Sequence, residues 1–461
     1  ASVEYYDIKD REVKTIMGNA GGFEISANGE KIAISANGKV AVVSIAEGQK
    51  MDKPVNMSNV VTTVNPMNEW KQLYRESWRL QRDYFYDGDM HGVDWDAVGE
   101  QYEKLIEQCV TRWDVNFVLG EMIGELNASH TYRGGGDLER SSRVNVGYLG
   151  INWTKNNGAY QVERIIRGAS WDAEVKSPLD EAGVDVKVGE YILAVNGTPI
   201  DASKSPYTAF QGLADQTVEL TVNGSPSMNN SRKVLVKTLR SESRLRHLEW
   251  IEANRKQVDE ATNGRAGYIY VRSTGIDGQN ELIRQFTGQL HKDALIIDER
   301  FNSGGQIPDR FIEMLDRKPL AYWAVRDGET WSWPPAGNFG PKVMLINGWS
   351  GSGGDAFPDY FRKAGLGPLV GTRTWGGLIG ISGAPSLIDG GGVTVPTFRM
   401  YDPDGEWFKE GYGVDPDIEV KENPGELAQG VDAQLQRAIE YINAQLADYQ
   451  GKPAPPAKED R

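Results

Sequence analysis

Residues 343–355 read Val343-Met344-Leu345-Ile346-Asn347-Gly348-Trp349-Ser350-Gly351-Ser352-Gly353-Gly354-Asp355. An apolar run of this length predicts a buried strand, and the glycines after it predict a sharp turn into a helix. Such a turn lifts Ser352 clear of the backbone and leaves amide N–H groups free beside its hydroxyl. Nucleophilic attack on a carbonyl needs that convergence of hydroxyl and donors. Turn chemistry alone leaves Ser350 as a rival, since either serine could instead cap the helix.

The same plan occurs once before. Ala294-Leu295-Ile296-Ile297-Asp298 is a second apolar run, followed by Asn302-Ser303-Gly304-Gly305 and the helical stretch Phe311–Leu315. Repeated strand, glycine loop and helix over residues 245–445 predict a layered α/β domain with backbone donors gathered at strand C-terminal ends. Gly365 is placed as the C-cap of the helix that follows Ser352.

Working outward, the rest of the chain changes period several times. Residues 143–240 return to short strands, opened by Gly147-Tyr148-Leu149-Gly150 and centred on Val188–Gly197. That pair resembles a PDZ domain, in which the amides of Gly147, Leu149 and Gly150 would hold a peptide carboxylate. Residues 60–140 are helical, with Trp70, Leu73, Tyr74 and Trp78 on one face and Val118, Met122 and Leu126 on another. Asp94 and Asp114 supply helix-start chemistry. Residues 1–55 are β-rich, with Asn37-Gly38 as a hairpin turn, and look like the remnant of a propeller blade. Residues 446–461 form a Pro/Lys/Glu-rich tail. The fold class is thus multidomain, α+β and α/β: a β segment, a small helical domain, a PDZ-like β domain and an α/β domain.

Composition narrows the function. At 461 residues the chain exceeds one core, and 39% apolar content with 13 Trp and 19 Tyr supplies material for several. A net charge of −15 excludes a basic nucleic-acid or anionic-membrane surface. The lone Cys109 excludes an internal disulfide and a cysteine-based zinc site, and reads as a buried small apolar residue. Four scattered histidines offer no ligand spacing, so neither metal nor cofactor is expected. No apolar run is long enough to span a bilayer. The start at Ala1-Ser2, without Met, fits a processed or excised piece.

A serine nucleophile needs a base, and the candidates are His91, His130, His247 and His291. His247 and His291 flank charged helical stretches and are expected to be solvated. His130 stands apart, between Ser129 and Thr131 with the glycine run Gly134–Gly136 behind it.

Four motifs now carry a resemblance. The runs ASHTYRGGGD (128–137), DERFNSGGQ (298–306), GSGGD (351–355) with GTRTWGG (371–377), and KEGYGVDPD (409–417) stand in the order found in the tricorn protease family. The order of domains is also that of the family's C-terminal half, ending in a crotonase-like catalytic domain. The resemblance covers residues 60–445. It implies Ser352 as nucleophile, His130 as general base, Ser129 and Glu410 as the residues that orient the histidine, and the Gly305 and Gly353 amides as oxyanion donors. Glu406 competes with Glu410 in the same loop. The related C-terminal processing peptidases use a lysine base, but this chain has no lysine between Lys363 and Lys409. Where the archaeal pattern has an acid that favours basic P1 residues, Trp323 stands here, with Asp327 and Glu329 nearby. An aromatic there would suit an apolar P1 side chain. The resemblance further implies peptide substrates, homo-oligomeric assembly and a cytosolic location, with an envelope location fitting a processed N-terminus equally well. Two other functions are open: an inert PDZ-type peptide binder, and a crotonase-like thioester hydrolase.

Overall fold

A computed structural model describes residues 1–169, 171–172 and 175–457. The end of the expected tail, residues 458–461, lies outside them. The chain forms two compact units, Ala1–Glu69 and Trp70–Arg461.

In the first unit, Ser2–Asp7 pairs antiparallel with Glu12–Gly18, and Gly22–Ile25, Lys31–Ala36 and Lys39–Ser44 form a three-stranded meander. Asn37 and Gly38 join the last two strands with φ of 51° and 73°, the left-handed pair that a two-residue hairpin turn requires. Alternation puts Ile32 and Ile34 on the inner face, where they pack with Val3, Ile16 and Met17.

The helical part comprises Pro66–Tyr84, Trp95–Ile106 and Arg112–Gly124. Asp94 caps the second helix by accepting from the Ala97 amide. The third begins one turn earlier than Asp114 would suggest: Thr111 is the cap, and Asp114 completes a reciprocal capping box. Tyr74, Leu119, Met122 and Leu126 bury together, joined by Val393 and Val395 from far along the chain. That union is reinforced by the antiparallel pairing of Arg133–Gly134 with Gly392–Val393. A buried ion pair, Arg112 Nε to Asp389 Oδ2 at 2.6 Å, lies behind it.

The PDZ-like domain is a six-stranded antiparallel sheet running Arg232–Lys237, Thr217–Asn223, Tyr191–Val195, Ala159–Ile165, Ile151–Asn156, with Thr198–Pro199 beside Tyr191–Val195. Its core includes Ile151, Val162, Ile192, Leu220 and Val236.

The α/β domain is built on a five-stranded parallel sheet in the order Ala266–Tyr270, Ala294–Asp298, Lys342–Ile346, Leu369–Gly371, Ile418–Glu419. Every residue of its three longest strands is buried, as befits a parallel sheet covered on both faces. Ser243–Ala261 and Ala433–Asp448 cover one face; Ile276–Gly288, Pro308–Leu315 and Gly353–Lys363 cover the other. Asp298 and Ile346 end neighbouring strands, so their two glycine loops meet at the sheet's C-terminal edge. No helix among the described residues is long and apolar enough to cross a membrane.

Candidate active site

Ser352 sits between the strand Lys342–Ile346 and the helix Gly353–Lys363 with φ 59° and ψ −116°, a backbone conformation that costs energy for any L residue. Asp355, one turn into the helix, holds it there. Its Oδ2 accepts from the Ser352 amide at 2.7 Å, while Oδ1 accepts from the Thr374 hydroxyl and from the Gly376 amide at 2.7 Å. Burial pushes the Asp355 carboxyl up to about 6, and these three donors oppose that shift. Asp355 thus ties the serine turn to the loop 374–377. Ser350 is fully buried and donates to the Glu299 carbonyl at 2.8 Å, which removes it as a rival to Ser352.

The glycines around the turn are there because two backbones touch. A Cβ on Gly304, at φ +84°, would lie 2.9 Å from the Ser352 Cβ. One on Gly353 would lie 2.3 Å from the Gly305 carbonyl oxygen, and one on Gly305 would lie 2.1 Å from the Gly275 amide nitrogen. Among the described residues, neither the Gly305 nor the Gly353 amide has an intramolecular acceptor.

His130 arrives from the helical part, also at positive φ, 56°. Its Nε2 is 3.1 Å from Ser352 Oγ, across 222 positions of sequence. Its Nδ1 is 3.0 Å from Ser129 Oγ. The ring lies beside Trp375, and the Thr394 hydroxyl donates to its backbone carbonyl. Burial lowers the imidazole's pKa below 6.5, opposed by the Glu410 carboxylate. Glu410 Oε1 accepts from the Ser129 backbone amide at 3.0 Å, and Oε2 from the amides of Leu378 at 2.9 Å and Ile379 at 3.2 Å. The carboxylate thus meets the backbone amide of Ser129, whose hydroxyl faces the imidazole. Glu406 stays exposed.

A cleft of about 560 Å³ opens over Ser352, with Leu378, Ile379, Phe398, Met400 and Tyr360 among its walls. Trp323 does not line it. That side chain is 54% exposed on the hairpin Ala321–Trp323/Trp331–Trp333, stacked on Trp331 at 5.5 Å, and Asp327 and Glu329 lie in the exposed loop between those strands. The cleft is instead lined by this aliphatic and aromatic wall, which no local motif marks.

Of the three amides expected to cradle a carboxylate, that of Gly147 is engaged within the PDZ-like domain. The Gly147 amide donates to the Phe210 carbonyl and the Tyr148 amide to that of Leu239, both at 2.9 Å. Leu149 is buried, and a Cβ on Gly150 would lie 2.7 Å from Leu245 Cδ2. Gly150 thus packs against the helix Ser243–Ala261, while Gly147 and Leu149 pack within the PDZ-like domain itself. His247, expected in solvent, packs edge-on to Tyr270 at 4.9 Å, and burial lowers its pKa.

These features can be set beside known proteins. Residues 66–124 match the tricorn protease C1 domain, 147–241 the tricorn protease PDZ domain and 265–420 peptidase family S41. The chain belongs to the tricorn protease family. It is 34% identical to the tricorn protease of Thermoplasma volcanium, over 96% of this chain and 43% of that one. Tricorn protease homolog 1 of Streptomyces coelicolor is likewise 34% identical, over 98% of this chain and 43% of its own. The crystal structure of the tricorn protease superposes with a TM-score of 0.85 at 29% identity, covering 96% of this chain and 43% of that one. The chain thus spans less than half the length of these tricorn relatives. Sequence reasoning passed over Asp355 and the amides of Leu378 and Ile379. Asp355 stands inside the quoted turn and its partners Thr374 and Gly376 inside the next motif, so spacing could have suggested the pair.

Proposed function

We propose that this chain is a serine peptidase acting on short peptides through Ser352, with His130 as general base. The observation that carries the proposal is the 3.1 Å approach of His130 Nε2 to Ser352 Oγ. With Nδ1 protonated and facing Ser129 Oγ, Nε2 is the free acceptor for the serine proton. Ser352 Oγ then bonds to the scissile carbonyl carbon, and the oxyanion is met by the unengaged amides of Gly305 and Gly353. The imidazolium returns its proton to the leaving amine as the C–N bond breaks, leaving an acyl-enzyme. Water, deprotonated by the same imidazole, hydrolyses that ester and restores Ser352. Ser129 orients the ring. Glu410 fixes the Ser129 backbone and favours the imidazolium by its charge. The apolar cleft walls suit an apolar P1 residue. Homo-oligomeric assembly belongs to the same proposal and is read by light scattering.

The test is covalent labelling by a fluorophosphonate. Wild-type protein should carry one label on Ser352, and Ser352→Ala and His130→Ala should carry none. Folded wild-type protein that stays unlabelled would overturn the proposal and leave the peptide-binding PDZ function ahead.

A further inference from the structure

Thr274 lies between the strand Ala266–Tyr270 and the helix Ile276–Gly288, fully buried behind the cleft lining. It touches both residues whose amides would meet the oxyanion. Its own amide donates to the Gly304 carbonyl at 3.0 Å, and its carbonyl accepts from the Ile307 amide at 3.1 Å. One residue thus grips the Gly305 loop on both sides. Gly305 rests directly on the Thr274–Gly275 peptide, since a Cβ there would lie 2.2 Å from the Thr274 carbonyl carbon. A Cβ on Gly353 would lie 2.1 Å from Thr274 Oγ1, its nearest neighbour. The Cα–H that such a Cβ would replace therefore points at the hydroxyl oxygen, a weak contact of the kind found where backbones pack closely.

Among the described residues that hydroxyl has no hydrogen-bond partner. An unpaired hydroxyl out of water is destabilising, and the isosteric valine would avoid the cost. Burial alone therefore favours valine here. A methyl group is larger than a hydroxyl oxygen, though, and at this contact it would press Gly353 away from Gly305. We infer that Thr274 is a positioning residue for the oxyanion hole: its backbone fixes the Gly305 amide, and its hydroxyl sets how closely Gly353 approaches. The inference rests on the peptidase proposal and adds the residue that spaces its two donors. Spacing matters because both amides must meet one oxygen that is charged only in the transition state.

Three variants and a matched pair of inhibitors test it. A peptide aldehyde accepts Ser352 Oγ at its carbonyl carbon; the C=O bond opens, its oxygen enters the hole, and the serine proton passes to His130. The corresponding peptide alcohol offers the same side chains without that oxygen. The ratio of their inhibition constants therefore reads the hole itself. Thr274→Val exchanges the oxygen for a methyl, and Thr274→Ala leaves neither. Both should lower the aldehyde preference, kcat/KM and the rate of fluorophosphonate labelling by about tenfold, short of the roughly 100- to 1,000-fold typical of a deleted donor. KM for an apolar peptide and the alcohol's inhibition constant should move by less than about threefold. Thr274→Ser keeps the oxygen and should recover most of the loss. Should Thr274→Val not fold, Thr274→Ala against Thr274→Ser decides. Folded Val and Ala variants that label within about threefold of wild type, or that weaken aldehyde and alcohol equally, overturn the inference while labelled wild-type protein leaves the peptidase proposal standing. Wild-type protein that resists the fluorophosphonate overturns that proposal and this inference with it.

Discussion

Replacing Glu410 by Gln separates what its charge does from what its shape does. The carboxylate accepts from three backbone amides, one on Oε1 and two on Oε2. A glutamine amide has one oxygen, so its NH2 group must face donors on one side. Facing the single Ser129 amide is the cheaper choice and keeps the Leu378 and Ile379 bonds. The Ser129 amide then loses its acceptor, worth about 1–3 kcal/mol, and the imidazolium loses a nearby negative charge. Together these predict a loss of about 2–4 kcal/mol in transition-state stabilisation, or roughly 30- to 1,000-fold in kcat/KM. The pH profile gives the sharper test. Burial lowers the His130 pKa and Glu410 raises it. Activity requires neutral His130, so kcat/KM rises with pH through that pKa. Removing Glu410 removes the upward influence, and the acid limb should move to lower pH even as the plateau falls. Steady-state cleavage of a fluorogenic peptide between pH 4 and 9 measures both. A plateau within threefold of wild type, or an acid limb that stays put or moves upward, would refute the reasoning.

Three further outcomes are expected. Asp355→Asn replaces one of two acceptor oxygens beneath the nucleophile; destabilisation by about 1–3 kcal/mol in urea unfolding should accompany a loss of fluorophosphonate reactivity. Gly304→Ala puts a Cβ 2.8 Å from the Gly351 carbonyl at φ +84°, so labelling of Ser352 should slow sharply while far-ultraviolet circular dichroism stays unchanged. Asp389→Asn leaves the buried Arg112 cation unpaired, at a cost of about 3–5 kcal/mol in denaturant unfolding. Burial pushes the Asp389 carboxyl up, but hydrogen bonds from Arg112 and the Gly391 amide outweigh it and hold it below its ordinary value. Its stabilisation is therefore present above the unfolded carboxyl's pKa and lost as pH falls through the folded one. The variant's stability should accordingly show a weaker pH dependence below about 4 than wild type.

The sequence by itself determined the local grammar of this protein. The apolar runs 294–298 and 343–346 and the glycine turns after them can only be buried strands entering helices, because strand period and left-handed backbone are written into neighbouring residues. Asn37-Gly38 set its hairpin in the same way. What only the tertiary structure decided is which distant groups meet. His130 reaches Ser352 because Arg133–Gly134 pairs with Gly392–Val393 and because Val393 and Val395 bury among the helices. Glu410 finds the Ser129 amide, not its hydroxyl, and Trp323 stacks on Trp331 outside the cleft. Such contacts depend on the packing of elements hundreds of residues apart, where small differences in register redirect a side chain. No local pattern encodes that choice.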